Sequence, residues 1–287
     1  MKIGQKAFGT QAVIAACLAL AAPATSWAGA ADAFYERAFV VAANARCQLF
    51  RPELGAALNA ATAQARGAAL RSGVSEADLN ATAARARSRA HAVACDSPDL
   101  QTVRGRVDGA FSGWTRTSRM TFPGENKAWV ADRVRQERQT WRLVQSTVVG
   151  ASPVAFGYAG QGVGGSDLTA VVSFAGRSRP YAARLVMRDP ARAARPWLAG
   201  NGLAPAASRA SVWATGYQAA DASLLAEGRR AGEAWRFPAT AATQLARLDP
   251  RETFAVEFHF RDGTVATVPF EAGDFAAGSA FLAMGML

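Results

Sequence analysis

The spacing of apolar residues changes near residue 120, and this change limits the chain to folds that keep helices and strands apart. Before this point apolar residues recur every three or four positions, which is typical of amphipathic helices. After it, runs of β-branched and aromatic residues bounded by turn residues predict strands. We therefore expect an α+β protein, with an N-terminal helical bundle over residues 31–118 and a mainly antiparallel β domain with short helices over residues 119–287.

Local start signals predict four helices in the first half. The first carries an apolar stripe over residues 34–49, and Pro52 suits the first turn of the second. Ser75 and Ser97 have the chemistry of N-cap residues and begin the third and fourth. The apolar faces of the first three helices are rich in alanine, which predicts close approach of their backbones.

The second half has several predicted strands and two short helices. The strands cover residues 140–149, 154–158, 168–174, 181–187 and, more weakly, 209–218. A hairpin over residues 253–260 and 264–270 turns at Asp262-Gly263. The helices cover residues 239–248 and 275–284, residues 125–138 fit either helix or strand, and residues 190–209 form an exposed loop.

Residues 1–30 have the composition of a secretory signal peptide. Lys2 and Lys6 precede an apolar stretch over residues 12–22, and small residues allow cleavage after Ala28 or Ala30. The stretch is shorter than the roughly 20 residues that a transmembrane helix needs. We expect a periplasmic or secreted protein without a transmembrane span. Lipidation at Cys17 is the alternative, although apolar residues continue beyond that cysteine.

Two cysteines follow the signal segment, and export to an oxidising compartment favours a bridge between them. Cys47 lies near the end of the first predicted helix and Cys95 at the end of the third. Consecutive antiparallel helices would place these two ends on the same side of the bundle. We predict a Cys47–Cys95 disulfide that stabilises the fold by about 4 kcal/mol on the chain-entropy model. Free thiols, an intermolecular bridge and a reactive cysteine are the alternatives.

Arginine dominates the charge of the chain. Lysine and arginine number 32 against 22 acidic residues, and loss of Lys2 and Lys6 lowers the net charge from +10 to +8. Codon usage in a G+C-rich genome also produces many arginines, so a solvated surface is the simpler interpretation. The functional one is an anion-binding face, for which the candidates are Arg85, Arg89, Arg104, Arg133 and Arg138.

Catalytic chemistry is sparse in this sequence. Glu257 and His259 are two positions apart on a predicted strand, so their side chains share a face. They could serve a hydrolase as an acid–base pair, or simply form the solvated face of an amphipathic strand. A metal site would need a third ligand, and none is indicated. The glycines of residues 160–165 precede a strand rather than a helix, so we expect no nucleotide cofactor or metal.

The end of the chain resembles the end of periplasmic domains of the invasion-associated locus B type. The resemblance rests on residues 245–250 (LARLDP), 254–258 (FAVEF) and 275–277 (FAA). Such domains close with a short helix, a hairpin with a glycine turn and a helix led by an aromatic residue. The resemblance implies an envelope-associated factor and transfers no catalytic residue.

Export, positive charge and few catalytic groups together favour a non-catalytic envelope protein. Its expected partner is anionic: a lipid headgroup, reached by peripheral membrane contact, a cell-wall polymer or an acidic protein. Export makes nucleic acid an unsuitable partner. The alternatives are the hydrolase based on His259 and Glu257, and an assembly factor that docks through aromatic residues of the β half such as Trp213 or Trp235.

Overall fold

A computed structural model of the 287-residue chain describes residues 27–161, 167–174, 179–200 and 202–287. Most of the predicted signal peptide and most of the glycine-rich segment at residues 160–165 lie outside the described residues. The two candidate cleavage positions, Ala28 and Ala30, fall within the first described helix. Across the described part of the chain, no helix is long and apolar enough to cross a membrane.

The first half consists of the four predicted helices, namely α1 Trp27–Cys47, α2 Pro52–Arg71, α3 Glu76–Ala92 and α4 Pro98–Thr115. Their starts follow the local chemistry. The Ser75 hydroxyl accepts a hydrogen bond from the Asp78 amide at 3.1 Å, and the Ser97 hydroxyl accepts one from the Leu100 amide at 3.3 Å. Gly73, at φ +96°, follows the end of α2.

Close helix packing through alanine and the Cys47–Cys95 disulfide stabilise the bundle. The buried face of α2 is formed largely by small residues, which lets α1 pack closely against it. Cys47 and Cys95 are bonded, with their Cα atoms 5.5 Å apart and 48 positions apart in sequence. The predicted disulfide and the predicted fold class are thus confirmed by the structure.

The second half has two antiparallel sheets built from β1 Arg119–Phe122, β2 Trp129–Asp132, β3 Thr140–Val149, β4 Ser152–Gly160, β5 Asp167–Val172, β6 Ala182–Arg188, β7 Arg209–Trp213, β8 Gly216–Ala219, β9 Glu233–Phe237, β10 Thr253–His259 and β11 Val265–Glu271. The larger sheet has the order β1-β2-β3-β4-β5-β9-β8, and the smaller one has the order β11-β10-β6-β7. The described residues of this half also form two α-helices, α5 Ala239–Leu245 and α6 Phe275–Leu282.

The sequence prediction of one strand over residues 209–218 is wrong. The Ala214 amide donates to the Ala183 carbonyl in the smaller sheet, and the next amide, that of Thr215, donates to the Arg236 carbonyl in the larger sheet. The chain therefore crosses between sheets at this point, which divides the segment into β7 and β8. Strand β9 was not predicted. Residues 125–138 fitted either helix or strand, and the structure has strand β2 within them.

An aromatic core fills the space between the two sheets and α6. Trp129 lies with its ring centroid 5.0 Å from Phe275 and 6.5 Å from Phe254, and Phe156 lies 5.4 Å from Phe270. Ala60 of α2 belongs to the same core, and α2 packs against α6. The helical bundle therefore covers one side of the β half.

Candidate functional site

The outer face of the smaller sheet carries a cluster of polar and aromatic side chains. Pairing of the strands aligns Glu257 of β10 with Arg184 of β6 and Arg184 with Trp213 of β7. Tyr181, just before β6, and His259 of β10 lie beside this row. We call these five residues the Trp213 cluster. It lies at an edge of the sheet, because β7 is the outermost strand.

Arg184 holds the centre of the Trp213 cluster. Its Nε donates to Glu257 Oε2 at 2.6 Å, and its Cζ lies 5.2 Å from the centroid of the Trp213 ring. The guanidinium thus makes an ion pair on one side and a cation–π contact on the other. These two contacts restrict the rotamers of both the arginine and the tryptophan.

His259 fills the space between the two exposed rings. Its ring centroid is 5.2 Å from that of Trp213 and 6.4 Å from that of Tyr181. The Tyr181 amide donates to the His259 carbonyl at 2.8 Å, which fixes the two backbones together. Within the described chain the buried His259 Nε2 has no hydrogen-bond partner.

Burial differs sharply across the Trp213 cluster. Glu257 is only 8% exposed, whereas Trp213 is 49% and Tyr181 is 56% exposed. Val265 of β11, which pairs with His259, is also exposed. The expectation that Glu257 and His259 form a solvated strand face is therefore wrong, because Arg184 and the aromatic rings cover them. The site is a partly buried ion pair beside exposed aromatic rings.

The arrangement does not favour the predicted acid–base pair. His259 Nε2 and Glu257 Oε2 share a face, as predicted, but they are 3.7 Å apart, beyond hydrogen-bond distance. The carboxylate of Glu257 is instead bound by Arg184, so it is not free to act as a base. The residues that the structure describes include no group of three or more His, Cys, Asp or Glu side chains placed to hold a metal ion.

The five candidate anion-binding arginines do not form one face. Arg85 and Arg89 lie one turn apart on α3 and are exposed, and Arg85 also donates to the Thr82 hydroxyl at 2.8 Å. Arg104 is exposed on α4. Arg138 is exposed in the β half. Hydrogen bonds from Ser223 lower the pKa of Asp221, and the positive charge of Arg138 lowers it further.

The prediction of Arg133 as an anion-binding residue is wrong, because its side chain is buried and only 3% exposed. Burial also lowers its pKa. Its guanidinium donates to the carbonyls of Gly285 at 2.6 Å, Thr117 at 3.1 Å and Met284 at 3.3 Å. Its Cζ also lies 5.1 Å from the Phe281 ring centroid. Arg133 is therefore a structural residue that ties the C-terminus to the end of the bundle.

Trp235 is likewise unavailable to a partner. It is 2% exposed, and its ring stacks on that of Tyr217 with centroids 4.6 Å apart. Of the two tryptophans predicted to dock a partner, only Trp213 is exposed. Sequence analysis also missed Arg184 and Tyr181, because only the pairing of β6 with β7 and β10 brings them to the site.

The resemblance of the tail to invasion-associated locus B-type domains stays a prediction. The short helix, the hairpin and the aromatic-led helix are present as α5, β10–β11 and α6. No family model, curated protein or solved structure matches the chain.

Proposed function

We propose that the protein is an exported, non-catalytic protein of the cell envelope that binds an acidic protein partner on the Trp213 cluster. The observation that carries this proposal is the half-exposed Trp213 ring, held in place on an edge strand by Arg184. Tryptophan, tyrosine and arginine are the residues that dominate binding energy at protein interfaces. All three are adjacent here.

The Trp213 cluster is ordered before any partner arrives. Glu257 forms an ion pair with Arg184, and Arg184 makes a cation–π contact with Trp213. The His259 ring packs against both exposed rings. A rigid aromatic surface loses little conformational entropy on binding, so most of the contact energy is retained.

Charge around the Trp213 cluster favours an acidic partner. Arg261, next to the hairpin turn, is exposed, and Arg179, two residues before Tyr181, is largely exposed although its Nε forms an ion pair with Glu233 Oε1 at 3.0 Å. The nearby Asp262 is engaged by the amide and hydroxyl of Thr264. The whole chain also carries excess positive charge, which accelerates association with acidic partners.

A periplasmic or secreted location is part of this proposal. The leader-like sequence of residues 1–30 supports it. The Cys47–Cys95 disulfide supports it independently, because such bonds persist in oxidising compartments.

Site-specific photocrosslinking in the protein's native cells tests the docking surface. A photoreactive residue at Val265, beside His259, should give an adduct with an acidic protein, whereas one at the exposed Val148 of the larger sheet should not. Trp213→Ala should abolish the adduct, and Trp197→Ala, which removes another exposed tryptophan, should leave it intact. Equal adducts at both positions, no adduct at Val265, or an adduct that survives Trp213→Ala would refute the proposal.

A second candidate function is binding to an anionic lipid surface through α3. Arg85 and Arg89 lie one turn apart on α3 and are exposed, and within the described chain the Arg89 guanidinium has no hydrogen-bond or ion-pair partner. Arginine near an anionic membrane contributes about 1 kcal/mol per residue. The double change Arg85→Gln/Arg89→Gln should therefore weaken sedimentation with anionic vesicles by about tenfold or more. The charge-matched control Arg230→Gln/Arg236→Gln should have less effect, and an equal loss in both variants would exclude this face.

A further inference from the structure

Strand β7 has one unpaired side along its backbone. It is the outermost strand of the smaller sheet, where it pairs only with β6. The Ala214 amide donates to the Ala183 carbonyl, so these two residues form a hydrogen-bonded pair of the antiparallel ladder. Such pairs alternate with non-hydrogen-bonded pairs, and therefore the amides and carbonyls of Arg209, Ser211 and Trp213 point away from β6.

Only the first residue of this outer edge finds partners within the chain. The Arg209 amide donates to the Ala206 carbonyl, and the Arg209 carbonyl accepts a hydrogen bond from Arg192 Nη1 at 3.3 Å. In the part of the chain that the structure describes, no hydrogen bond involves the outward main-chain groups of Ser211 or Trp213. Both residues are exposed. Their amides and carbonyls are therefore available to another chain.

The opposite edge of the same sheet is protected against strand pairing. Strand β11 forms that edge, and Pro269 within it has no amide hydrogen to donate. The Glu271 amide at the end of β11 is already engaged, because it donates to Gln145 Oε1 at 2.8 Å. Proline on an edge strand is one of the devices by which native proteins prevent unwanted strand addition. Strand β7 contains no proline, so the sheet protects one edge and leaves the other open.

The side chains around the β7 edge suit an extended segment that carries acidic residues. The ring of Trp213 is 49% exposed, so it can pack on a side chain of an added strand. Residues 190–220 contain three arginines and no acidic residue. Of these arginines, Arg195 is exposed, and the side chain of Arg192 is 64% exposed although its Nε pairs with Asp189 at 3.3 Å. Their positive charge favours carboxylates on the added segment.

We infer that the acidic protein partner docks by strand addition, with an extended acidic segment paired along the outer edge of β7. This inference rests on the proposed function and specifies how the partner binds. Ser211 and Trp213 would each exchange both main-chain hydrogen bonds with one residue of the segment, as in an antiparallel ladder. These bonds provide affinity that is independent of sequence, whereas the Trp213 ring and the nearby arginines select the segment.

Proline substitution at the β7 edge tests strand addition in the crosslinking experiment at Val265. Ser211→Pro removes one outward amide and places a ring where the added strand would pair, and an edge strand tolerates proline. It should reduce the yield of the adduct by about tenfold, whereas Ser211→Ala, which keeps the amide, should leave the yield unchanged. Thermal unfolding shows whether both variants retain the fold. An undiminished adduct in folded Ser211→Pro would overturn strand addition and leave the docking surface in place.

Hydrogen exchange with residue resolution is a second measurement, and it needs no variant. In free wild-type protein the Ser211 and Trp213 amides should exchange rapidly, because they lack an acceptor. In the purified Val265 adduct both should exchange about tenfold more slowly, while the Val212 amide, which faces β6, should change little. Equal exchange in free and adducted protein would overturn the inference, as would an adduct with a second copy of this chain. Absence of any wild-type adduct would refute the docking surface and strand addition together.

Discussion

Gly67 and Asp274 meet where the helical bundle contacts the β half. A Cβ atom built on Gly67 would lie 2.0 Å from Asp274 Oδ1, so only glycine fits at this position of α2. The Asp274 side chain is fully buried, and Arg71, one turn further along α2, donates a hydrogen bond to its Oδ1. A single carboxylate therefore connects the start of α6 to α2.

We expect Gly67→Ala to lower the free energy of unfolding by about 1–3 kcal/mol, because the methyl group overpacks this contact. Gly105 of α4 is the matched control, since a Cβ atom there meets nothing within 4 Å. Gly105→Ala should stabilise the protein by roughly 0.5–1 kcal/mol through lower backbone entropy in the unfolded chain. Urea unfolding measures both, and a change of the same sign in the two variants would contradict the packing argument.

Asp274 should also make stability depend on pH. Burial raises the pKa of its carboxyl, and Arg71 partly counteracts this effect. Between the ordinary pKa of aspartate, about 3.9, and the raised folded value, the folded state binds more protons than the unfolded state. The contribution of this group to stability is therefore largest at low pH and is lost as pH rises through that window.

The pH effect can be isolated by comparing wild type with Asp274→Asn. The unfolding free energy of wild type minus that of the variant should fall as pH is raised from about 4 to about 7. The Arg71 ion pair forms only when Asp274 is ionised, so its effect is contained in the folded pKa, and the slope reports the balance of burial and pairing at Asp274. A difference that rises with pH would show that the pair with Arg71 outweighs burial.

The disulfide links the end of α1 to the segment after α3, across the whole of α2 and α3. It closes 48 residues between the end of α1 and the segment after α3. Cys47→Ala/Cys95→Ala should therefore lower the free energy of unfolding by about 4 kcal/mol. Reductant should lower the stability of wild type and leave the variant unchanged. An unfolding midpoint of wild type that is insensitive to full reduction would contradict this prediction.

Helix ends could be predicted from the sequence because their causes are local. The hydroxyls of Ser75 and Ser97 accept hydrogen bonds from amides three residues further along the chain. Pro52 has no amide hydrogen, so it leaves no donor unsatisfied at the start of α2. The strand at residues 209–218 could not be predicted correctly, because the bonds to Ala183 and Arg236 that divide it involve distant segments. The sequence contains no local signal for such long-range pairing.

The same distinction explains what was predicted of the candidate site. Alternation along one strand placed Glu257 and His259 on a common face, as the structure shows. The ion pair of Glu257 with Arg184, 73 positions away in sequence, depends on strand register. The burial of Arg133 likewise depends on carbonyls at the far end of the chain, and composition alone cannot distinguish it from the exposed Arg138.

At the scale of the whole molecule, packing and polar contacts join the helical and β halves. Ala60 of α2 lies in the aromatic core, Asp274 pairs with Arg71, and Arg133 bonds both to Thr117 near the end of α4 and to Gly285 near the C-terminus. The boundary near residue 118 marks a change in secondary structure. Contacts that cross it favour unfolding of the two halves as one unit.

Two spectroscopic signals can test this coupling. Far-ultraviolet circular dichroism reports mainly on α1 to α4, while tryptophan fluorescence is dominated by the β half, where Trp129 and Trp235 are buried. We expect coincident urea transitions in wild type, as for a two-state protein. Cys47→Ala/Cys95→Ala alters only the bundle, yet it should shift both midpoints equally, because the α2–α6 contact and Arg133 transmit the loss. A fluorescence midpoint that stays in place while the helical signal shifts would instead show two halves that unfold independently.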